Sequence, residues 1–198
     1  MSAIDDSELH QIVQRVLDQV LNSPKPGAAP VSAPAAAVAS KSEKKNSDRK
    51  MIALGADHGG YELKEILKAD LNALGFEVND VGTHSKESVD YPDLAHEVAK
   101  LVGSGKAWRG IMIDGAGIGS CIVANKVPGV RAGMAYDVSS AINSREHNDT
   151  NLLTLGAGLI GTNLAKQIVK TWLTTEFGGD RHARRVEKIK LVEKQYLK

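Results

Sequence analysis

The sequence predicts an α/β fold in which a parallel sheet lies between two layers of helices. From Met51 onward, short apolar runs that end in glycine-rich loops alternate with stretches whose apolar residues recur at helical spacing. This alternation is typical of parallel sheets covered on both faces. At 198 residues, the chain is long enough for one such domain and a modest appendage.

The appendage comes first in the chain. Residues 1–22 place apolar side chains three and four positions apart, which predicts an amphipathic helix. Residues 23–50 are rich in Pro, Ala and Ser and have no periodic apolar face, so we expect a flexible linker. A helix of this length is marginal alone in water, so its apolar face needs a partner.

Residues 51–198 form the predicted α/β domain. The expected strands are MIALGA (51–56), FEVNDVG (76–82), GIMIDGAG (110–117), VRAGMAY (130–136) and LLTLGAG (152–158). The expected helices are Tyr61–Leu74, Leu94–Leu101, Val138–Glu146, Asn163–Thr175 and Arg181–Gln195. Ligands of such sheets bind beyond the carboxyl ends of the strands, so the functional residues are expected in the loops that follow them.

Composition excludes several classes of protein. The 25 basic and 24 acidic side chains give a formal net charge of +1, so no overall field attracts nucleic acid or an anionic membrane. A single cysteine excludes an intrachain disulfide framework and a multi-cysteine metal cluster, which suits a reducing compartment. No apolar run approaches the roughly 20 residues that cross a bilayer, and the start of the chain is acidic where a secretory signal is basic. We therefore expect a cytoplasmic protein that binds neither nucleic acid nor membrane.

Asp57 and His58 follow the first predicted strand, in the segment GADHGGYELK. A carboxylate suits sugar hydroxyls, and an imidazole can donate to a phosphate or move a proton. The pair is therefore a candidate for holding a polar ligand. The alternative is that Asp57 only caps the next helix and that His58 is a surface residue.

The loop Gly115–Ser120 follows the third predicted strand, in DGAGIGSCIVANK. Its three glycines allow consecutive N–H groups to point into one concavity beside a helix N-terminus, where negative charge is stabilised. Such a loop can hold a phosphate or an enediolate. A three-glycine loop can also bind a dinucleotide, but its place after the third strand and the short helix that follows favour the anion-binding interpretation.

Two further clusters carry histidine and arginine. His147 and Asn148 lie between a helix and a strand in SREHNDTN, and an imidazole there suits a general acid or base because it titrates near neutral pH. Arg181, His182 and Arg185 lie at the start of the last predicted helix, where guanidinium groups four residues apart can clamp a phosphate. The simpler alternatives are a helix-capping histidine and a solvated basic turn.

Five segments, taken in order, resemble the ribose-5-phosphate isomerase B and galactose-6-phosphate isomerase family: ADHGG, DYPDLA, the glycine loop through ANKVPGVRA, SREHNDTN and GGDRHARRVE. The match spans residues 51 to about 190. It implies a Rossmann-like three-layer α/β/α domain with a five-stranded parallel sheet. It also implies a homodimer or dimer of dimers whose active sites are shared between subunits, and no metal or organic cofactor.

The resemblance also implies roles for single residues. His147 matches the histidine that opens the sugar ring, and Asp57 matches the aspartate that contacts substrate hydroxyls. Phosphate-binding positions are matched by His58, Arg181 and Arg185, with Arg131 as a further contact. The other matches line the site: Tyr91, Asn148, His182 and the anion-hole loop of Gly115, Ala116, Gly117, Ile118, Gly119 and Ser120.

The chain departs from the family at the position of the base. Many members have a cysteine where this chain has Asp114 and a threonine where it has Ala116, and others use a glutamate where it has Ser120. IDGAGIGSCIVANK is similar to the A subunit of galactose-6-phosphate isomerase, which also has aspartate there and works with a second type of subunit. Asp114 is therefore the candidate base that moves the proton between C1 and C2. Cys121, the only thiol, is either an alternative base or a small buried residue.

The N-terminal segment carries a second resemblance. An amphipathic helix joined to an enzyme by a Pro/Ala-rich linker is similar to the encapsulation peptides that direct cargo enzymes into bacterial microcompartments. Residues 1–22 would then bind a shell protein, and the enzyme would lie inside such a compartment. A helix that only self-associates is the competing interpretation.

Together these residues predict an aldose–ketose isomerase. The expected reaction interconverts ribose 5-phosphate and ribulose 5-phosphate through an enediolate intermediate. One alternative is an isomerase of hexose phosphates of the galactose- or allose-6-phosphate type. The other is a non-catalytic subunit that binds a sugar phosphate or supports assembly.

Overall fold

The computed structural model of the protein describes residues 50–196. The predicted N-terminal helix at 1–22 and nearly all of the predicted linker lie outside these residues. The described part contains five strands: β1 (Met51–Ala56), β2 (Glu77–Gly82), β3 (Arg109–Asp114), β4 (Ala132–Met134) and β5 (Leu152–Gly156). Its six helices are α1 (Tyr61–Ala73), α2 (Tyr91–Gly103), α3 (Ile118–Ala124), α4 (Val138–Glu146), α5 (Thr162–Thr174) and α6 (Asp180–Tyr196).

All strand pairs are parallel, and the strand order is β2-β1-β3-β5-β4. This confirms the predicted Rossmann-like three-layer fold with a five-stranded parallel sheet. The predicted helix Leu94–Leu101 is longer in the structure, because Pro92 stands in its first turn, where a fixed φ favours helix initiation. The fourth strand is shorter than predicted, since the chain turns through a hydrogen bond from Val130 N–H to the carbonyl of Val127 just before it.

The two faces of the sheet are packed differently. Large apolar side chains of the strands, such as Ile52 and Leu54, join the core that includes α1 and α5. Alternate residues face α2 and α3, and in β1 these are small, as at Ala53. A Cβ atom at Gly55 or Gly110 would come within 2.8 Å of a methyl carbon of Val98 on α2. Glycine at these two positions therefore lets α2 pack close to the strands.

The strand order places a crevice between β1 and β3. The chain leaves β1 for β2 on one side of the sheet and later returns to form β3 on the other side. The loop after β1 leads to α1 on one face, and the loop after β3 leads to α3 on the opposite face. Loops that diverge in this way leave a ligand crevice at the carboxyl ends of the strands.

Among the helices of residues 50–196, none is long and apolar enough to cross a membrane.

Candidate active site

Asp57 lies directly at the crevice, one residue after β1. Its side chain is buried, its N–H donates to the carbonyl of Ile113 at 3.1 Å, and its Oδ1 accepts from the N–H of Gly60 at 2.9 Å. A Cβ atom at Gly59 would lie 3.3 Å from this Oδ1 and 3.7 Å from the nitrogen of Gly115. The carboxylate and the start of the glycine loop therefore face the same small space. Within the described residues, Oδ2 of Asp57 makes no hydrogen bond.

Asp114 ends β3 and is the organising anion of the glycine loop. Its Oδ1 accepts from the N–H groups of Ala116, at 2.8 Å, and of Gly117. Its Oδ2 accepts from the N–H of Ser120, at 3.2 Å, and from the hydroxyl of the same residue. A carboxylate has about four lone-pair directions, so these bonds use all of them. Its role as the base stays a prediction, and it would require one of these bonds to open.

The loop retains donors that Asp114 does not use. Among residues 50–196, the N–H groups of Gly115, Ile118 and Gly119 make no hydrogen bond within the chain. The loop turns at Gly117, whose φ of +78° favours glycine. The loop therefore leaves fewer N–H donors for an anion than the sequence predicts, since those of Ala116, Gly117 and Ser120 already donate to the Asp114 carboxylate.

Tyr91 and His58 border the same loop. A Cβ atom at Gly119 would lie 2.5 Å from the ring and hydroxyl of Tyr91, so the missing side chain lets this ring lie over the loop. The exposed His58 ring has its Nδ1 3.3 Å from both the nitrogen and the oxygen of Val89, just before α2. We call Asp57, His58, Tyr91 and the segment Asp114–Ser120 the glycine-loop group.

His147 lies elsewhere, at the C-terminal end of α4. Its Nδ1 is 2.8 Å from Nδ2 of Asn143, and Oδ1 of Asn143 accepts from the amide of Asn148 at 3.3 Å. This second bond orients the Asn143 amide so that its NH₂ group donates to His147. The neutral imidazole then carries its proton on Nε2, which makes no hydrogen bond to any of the described residues. Sequence reasoning missed Asn143, although its place four residues before His147 on one helix was a usable signal.

His182 stacks on His147. The ring centroids are 4.1 Å apart and the planes differ by 7°. Burial lowers the pKa of His182 below its usual value, and the neighbouring His147, Arg181 and Arg185 lower it further. The Nε2 atom of His182 accepts from Nε of Arg181 at 3.3 Å. An uncharged His182 can therefore lie against His147 without repelling it.

The start of α6 is held beside the end of α4. The N–H of Gly178 donates to the carbonyl of Glu146 at 2.9 Å, which brings the following turn next to His147. Arg181 and Arg185 then stand one helical turn apart, exposed, and among residues 50–196 neither lies within 4.0 Å of a carboxylate. Two guanidinium groups at this spacing, with no carboxylate partner in the described part of the chain, suit a phosphate. We call His147, Asn148, Arg181, His182 and Arg185 the histidine–arginine group.

Asp149 supports the turn that carries His147. Its carboxylate pairs with Nη2 of Arg131 at 2.9 Å and with Nη1 of Arg145 at 2.8 Å, and its φ is +47°. Arg131, which the resemblance suggests as a phosphate contact, is therefore engaged within its own chain. Asp149 and its two arginines position the turn.

Cys121 faces away from the crevice. Its Sγ lies 3.6 Å from the carbonyl oxygen of Ala132 and 3.6 Å from Nδ2 of Asn125. Burial is the main cause that raises the pKa of this thiol. A protonated thiol beside β4 fits the interpretation as a packing residue and not a base.

The two groups lie at opposite ends of the parallel strands. Asp114 pairs with Gly156 at the end of β5, whereas His147 precedes Leu152, the first residue of that strand. At about 3.3 Å per residue, the length of β5 alone separates these two ends by about 13 Å. One chain therefore brings the predicted site residues together as two halves and does not join them.

Comparison with known proteins matches residues 52–189 to the family described as Ribose/Galactose Isomerase. The chain is 46% identical over 146 residues to ribose-5-phosphate isomerase B of Escherichia coli, covering 74% of this chain and 98% of the relative. It is 43% identical over 145 residues to D-erythrulose-4-phosphate isomerase of Pectobacterium atrosepticum, covering 73% of this chain and 95% of the relative.

A solved structure shows the same architecture. Ribose-5-phosphate isomerase B of Clostridium thermocellum superimposes with a TM-score of 0.73 at 53% sequence identity, covering 74% of this chain and 99% of the other. Both kinds of comparison therefore cover nearly the whole length of the relative. The part of this chain that has no counterpart there is about a quarter of its length.

Proposed function

The chain belongs to the ribose/galactose isomerase family and is a sugar-phosphate isomerase, and we propose that it interconverts ribose 5-phosphate and ribulose 5-phosphate. The observation that carries the proposal is the crevice between β1 and β3, where the Asp57 carboxylate lies beside a glycine loop with N–H groups that are unpaired among residues 50–196. An aldose–ketose isomerisation needs both a base for a carbon-bound proton and donors for the enediolate oxygen. Relatives named for the ribose reaction support the choice of substrate.

Each half of the proposed site has its own task. Nε2–H of His147 donates to the ring oxygen and so opens the cyclic sugar. In the crevice, a carboxylate removes the proton from C2 and returns it to C1, and Asp114 is the candidate from sequence. The N–H groups of Gly115, Ile118 and Gly119 stabilise the enediolate. Such preorganised donors often make the largest electrostatic contribution to catalysis.

The phosphate is held at a distance from the reacting carbons. Arg181 and Arg185 supply two positive groups, with His58 and His182 beside them, and Tyr91 and Asn148 close the site. Binding energy at the phosphate orients C1 and C2 in the crevice, where misplacement would slow proton transfer.

Because one chain separates these halves, we propose a homodimer in which each site takes one half from each subunit. A groove of about 940 Å³ runs along the edge strand β4 and includes Tyr136, Ile189, Val192 and Tyr196. These four side chains are between 47% and 72% exposed, which leaves an apolar surface for a second copy. A two-fold pair would complete two sites at once. A dimer of dimers would extend the same contact.

The test is isomerisation by the purified full chain. Ribose 5-phosphate, galactose 6-phosphate, allose 6-phosphate and the four-carbon erythrose 4-phosphate are each incubated with it in D₂O. Proton NMR then follows ketose formation and loss of the C2 hydrogen. Fastest exchange on ribose 5-phosphate is expected.

Other outcomes separate the alternatives. Preference for the four-carbon sugar would favour a function like that of the Pectobacterium relative, and preference for a six-carbon sugar would favour a hexose phosphate isomerase. Binding without exchange would indicate a non-catalytic subunit.

We propose further that residues 1–22 are an encapsulation peptide that binds a microcompartment shell protein, so that the enzyme works inside such a compartment in the cytoplasm. The family match begins at residue 52, so this segment and its linker are additions to the enzyme domain. Residues 1–24 fused to a fluorescent protein should give puncta in shell-producing cells. A matched fusion with Val16→Asp and Leu17→Asp, which breaks the apolar face, should be diffuse. Diffuse signal from both fusions, or puncta without the shell, would contradict targeting.

A further inference from the structure

We propose that Asp57 is the carboxylate that moves the proton between C1 and C2, and that Asp114 is a positioning residue that shapes the glycine loop. This inference rests on the proposed isomerase function and assigns roles within its site. It follows from the way the two neighbouring carboxylates are hydrogen bonded.

Asp114 has no lone pair available for a substrate. Two backbone N–H groups bond to Oδ1, and one backbone N–H and one hydroxyl bond to Oδ2. Accepting a proton would replace one of these bonds, and the buried donor that it releases would lose its partner. The carboxylate also holds the first turn of α3, where negative charge is favourable. Its hydrogen bonds are those of a structural anion.

Asp57 presents the opposite arrangement. The residue is buried, with 8% of its surface exposed. Its carboxylate accepts one hydrogen bond, from the N–H of Gly60 to Oδ1, so Oδ2 has no partner among the described residues. The backbone N–H of Asp57 bonds to Ile113, which places it beside Asp114 on the neighbouring strand. A base held rigidly with one free oxygen can act without breaking a contact of the fold.

The Asp57 carboxylate also lies beside the start of the loop that supplies the donors the reaction needs. Gly115, whose N–H is unpaired in the described part of the chain, borders the same space as the Asp57 carboxylate. A substrate whose carbonyl oxygen binds the unpaired N–H groups would lie with C1 and C2 next to Asp57. The carboxylate and the anion hole therefore act on adjacent atoms.

The step balances as follows. Oδ2 of Asp57 takes the C2 proton, the C2–H electron pair forms the C1–C2 double bond, and the carbonyl pair moves onto O1. Exchange of the hydroxyl proton from O2 to O1 through solvent gives the isomeric enediolate. C1 then takes the proton back from Asp57 as the O2 electron pair forms the C2 carbonyl, which yields the ketose.

The experiment starts from the ketose. With its O5 phosphorylated, ribulose 5-phosphate cannot close a five-membered ring, so its reaction does not need ring opening. Full-length variants Asp57→Asn and Asp114→Asn are incubated with it in D₂O, and exchange at C1 is followed by proton NMR. Asp93→Asn, an exposed acid in the first turn of α2, is the matched control.

Asp57→Asn is expected to lose about 10²- to 10⁴-fold in exchange rate while its affinity for ribulose 5-phosphate changes less than about tenfold. Asp93→Asn should keep exchange within about tenfold of the wild type. Asp114→Asn should bind the ketose more weakly and melt at a lower temperature, yet still exchange.

Two results would overturn the assignment. One is an Asp57→Asn variant that exchanges within about tenfold of the wild type. The other is loss of exchange in Asp114→Asn with melting temperature and substrate affinity intact. If Asp114→Asn does not fold, the Asp57→Asn variant still decides. Wild-type protein that exchanges no sugar phosphate would refute the isomerase function itself, which is a different outcome from exchange that survives Asp57→Asn.

Discussion

The glycine-loop group and the histidine–arginine group differ in how their polar atoms are satisfied. In the first, strand ends and backbone N–H groups enclose the buried Asp114, whose hydrogen bonds are complete. In the second, the candidate residues lie at helix ends, and Arg181 and Arg185 are exposed and have no carboxylate partner in the described residues. The first half is built into the fold, whereas the second includes exposed side chains. Substitutions in the first should therefore disturb the loop itself, and those in the second mainly ligand binding and rate.

The largest effect on turnover should come from substitutions in the two halves of the site, tested alone and in mixed dimers. Asp57→Asn and His147→Gln should each lower turnover of ribose 5-phosphate by about 10²- to 10⁴-fold. Co-expressed, they should form mixed dimers in which one of two sites is intact, and activity should recover to about a quarter of the wild type. Steady-state assay of the purified mixture measures this.

The matched control combines His147→Gln with Arg181→Met. Both changes lie in the histidine–arginine group, so every site in a mixed dimer keeps one defect and no recovery is expected. Equal recovery in both mixtures, or none in either, would contradict shared sites.

Arg181→Met should next raise KM for ribose 5-phosphate by about 10- to 100-fold, because a charge-assisted hydrogen bond contributes about 1.5–3 kcal/mol. The variant kcat should change less, since the phosphate lies away from the reacting carbons. Lys190→Met removes another exposed cation of α6 and serves as control, with its KM unchanged. A normal KM in Arg181→Met would exclude this arginine from the phosphate site.

Asp149→Ala should lower the free energy of unfolding by about 1–3 kcal/mol, because it leaves the buried Arg145 guanidinium without its carboxylate. Asp149→Asn keeps an acceptor and tolerates the left-handed backbone, so its loss should be smaller. Urea unfolding at neutral pH measures both. Equal stability of Asp149→Ala and the wild type would show that the arginine pairs do not hold this turn.

The smallest effect is on how the melting temperature depends on pH. The pKa of His182 lies below its ordinary 6.5, so the unfolded chain takes up this proton first as the pH falls. The stability contributed by the neutral ring is complete above pH 6.5, declines as the pH falls through 6.5, and is fully lost below the lowered pKa. His182→Gln should weaken the fall in melting temperature between pH 7 and pH 5. His96→Gln, an exposed control on α2, should show the same fall in melting temperature as the wild type. The same fall in His182→Gln would contradict a stabilising role for the neutral His182 ring.

Much of the fold was predictable because its signals are local. Alternation of apolar residues depends on strand geometry alone, so both ends of β1 were placed correctly and the start of the buried β3 to within a residue, although its end was predicted three residues too late. The fourth strand was predicted too long, since its start follows the turn at residues 127–130 and depends on the side chain of Asn151, which accepts from the N–H of Arg131 and is distant in sequence. The N-terminal helix and linker lie outside the described residues and stay predictions.

The candidate site was predictable as a set of residues and not as an arrangement. Motifs in register pointed to Asp57, Asp114, His147 and Arg181, because residue type and spacing limit the chemistry each can do. The i,i+4 spacing of Asn143 and His147 was a local signal, but nothing local indicated that Asp149 pairs with the distant Arg131. These contacts join side chains whose orientation depends on how the helix ends and turns pack.

By itself, the sequence determined a parallel α/β domain, its family and the residues that could carry an isomerisation. The tertiary structure alone decided how those residues are distributed. Strand order placed Asp57 beside Asp114 at the carboxyl ends of the strands, and the direction of α4 placed His147 at their opposite ends. It also decided which carboxylate keeps a free oxygen, because hydrogen-bond saturation is a property of the folded loop and not of the residue type.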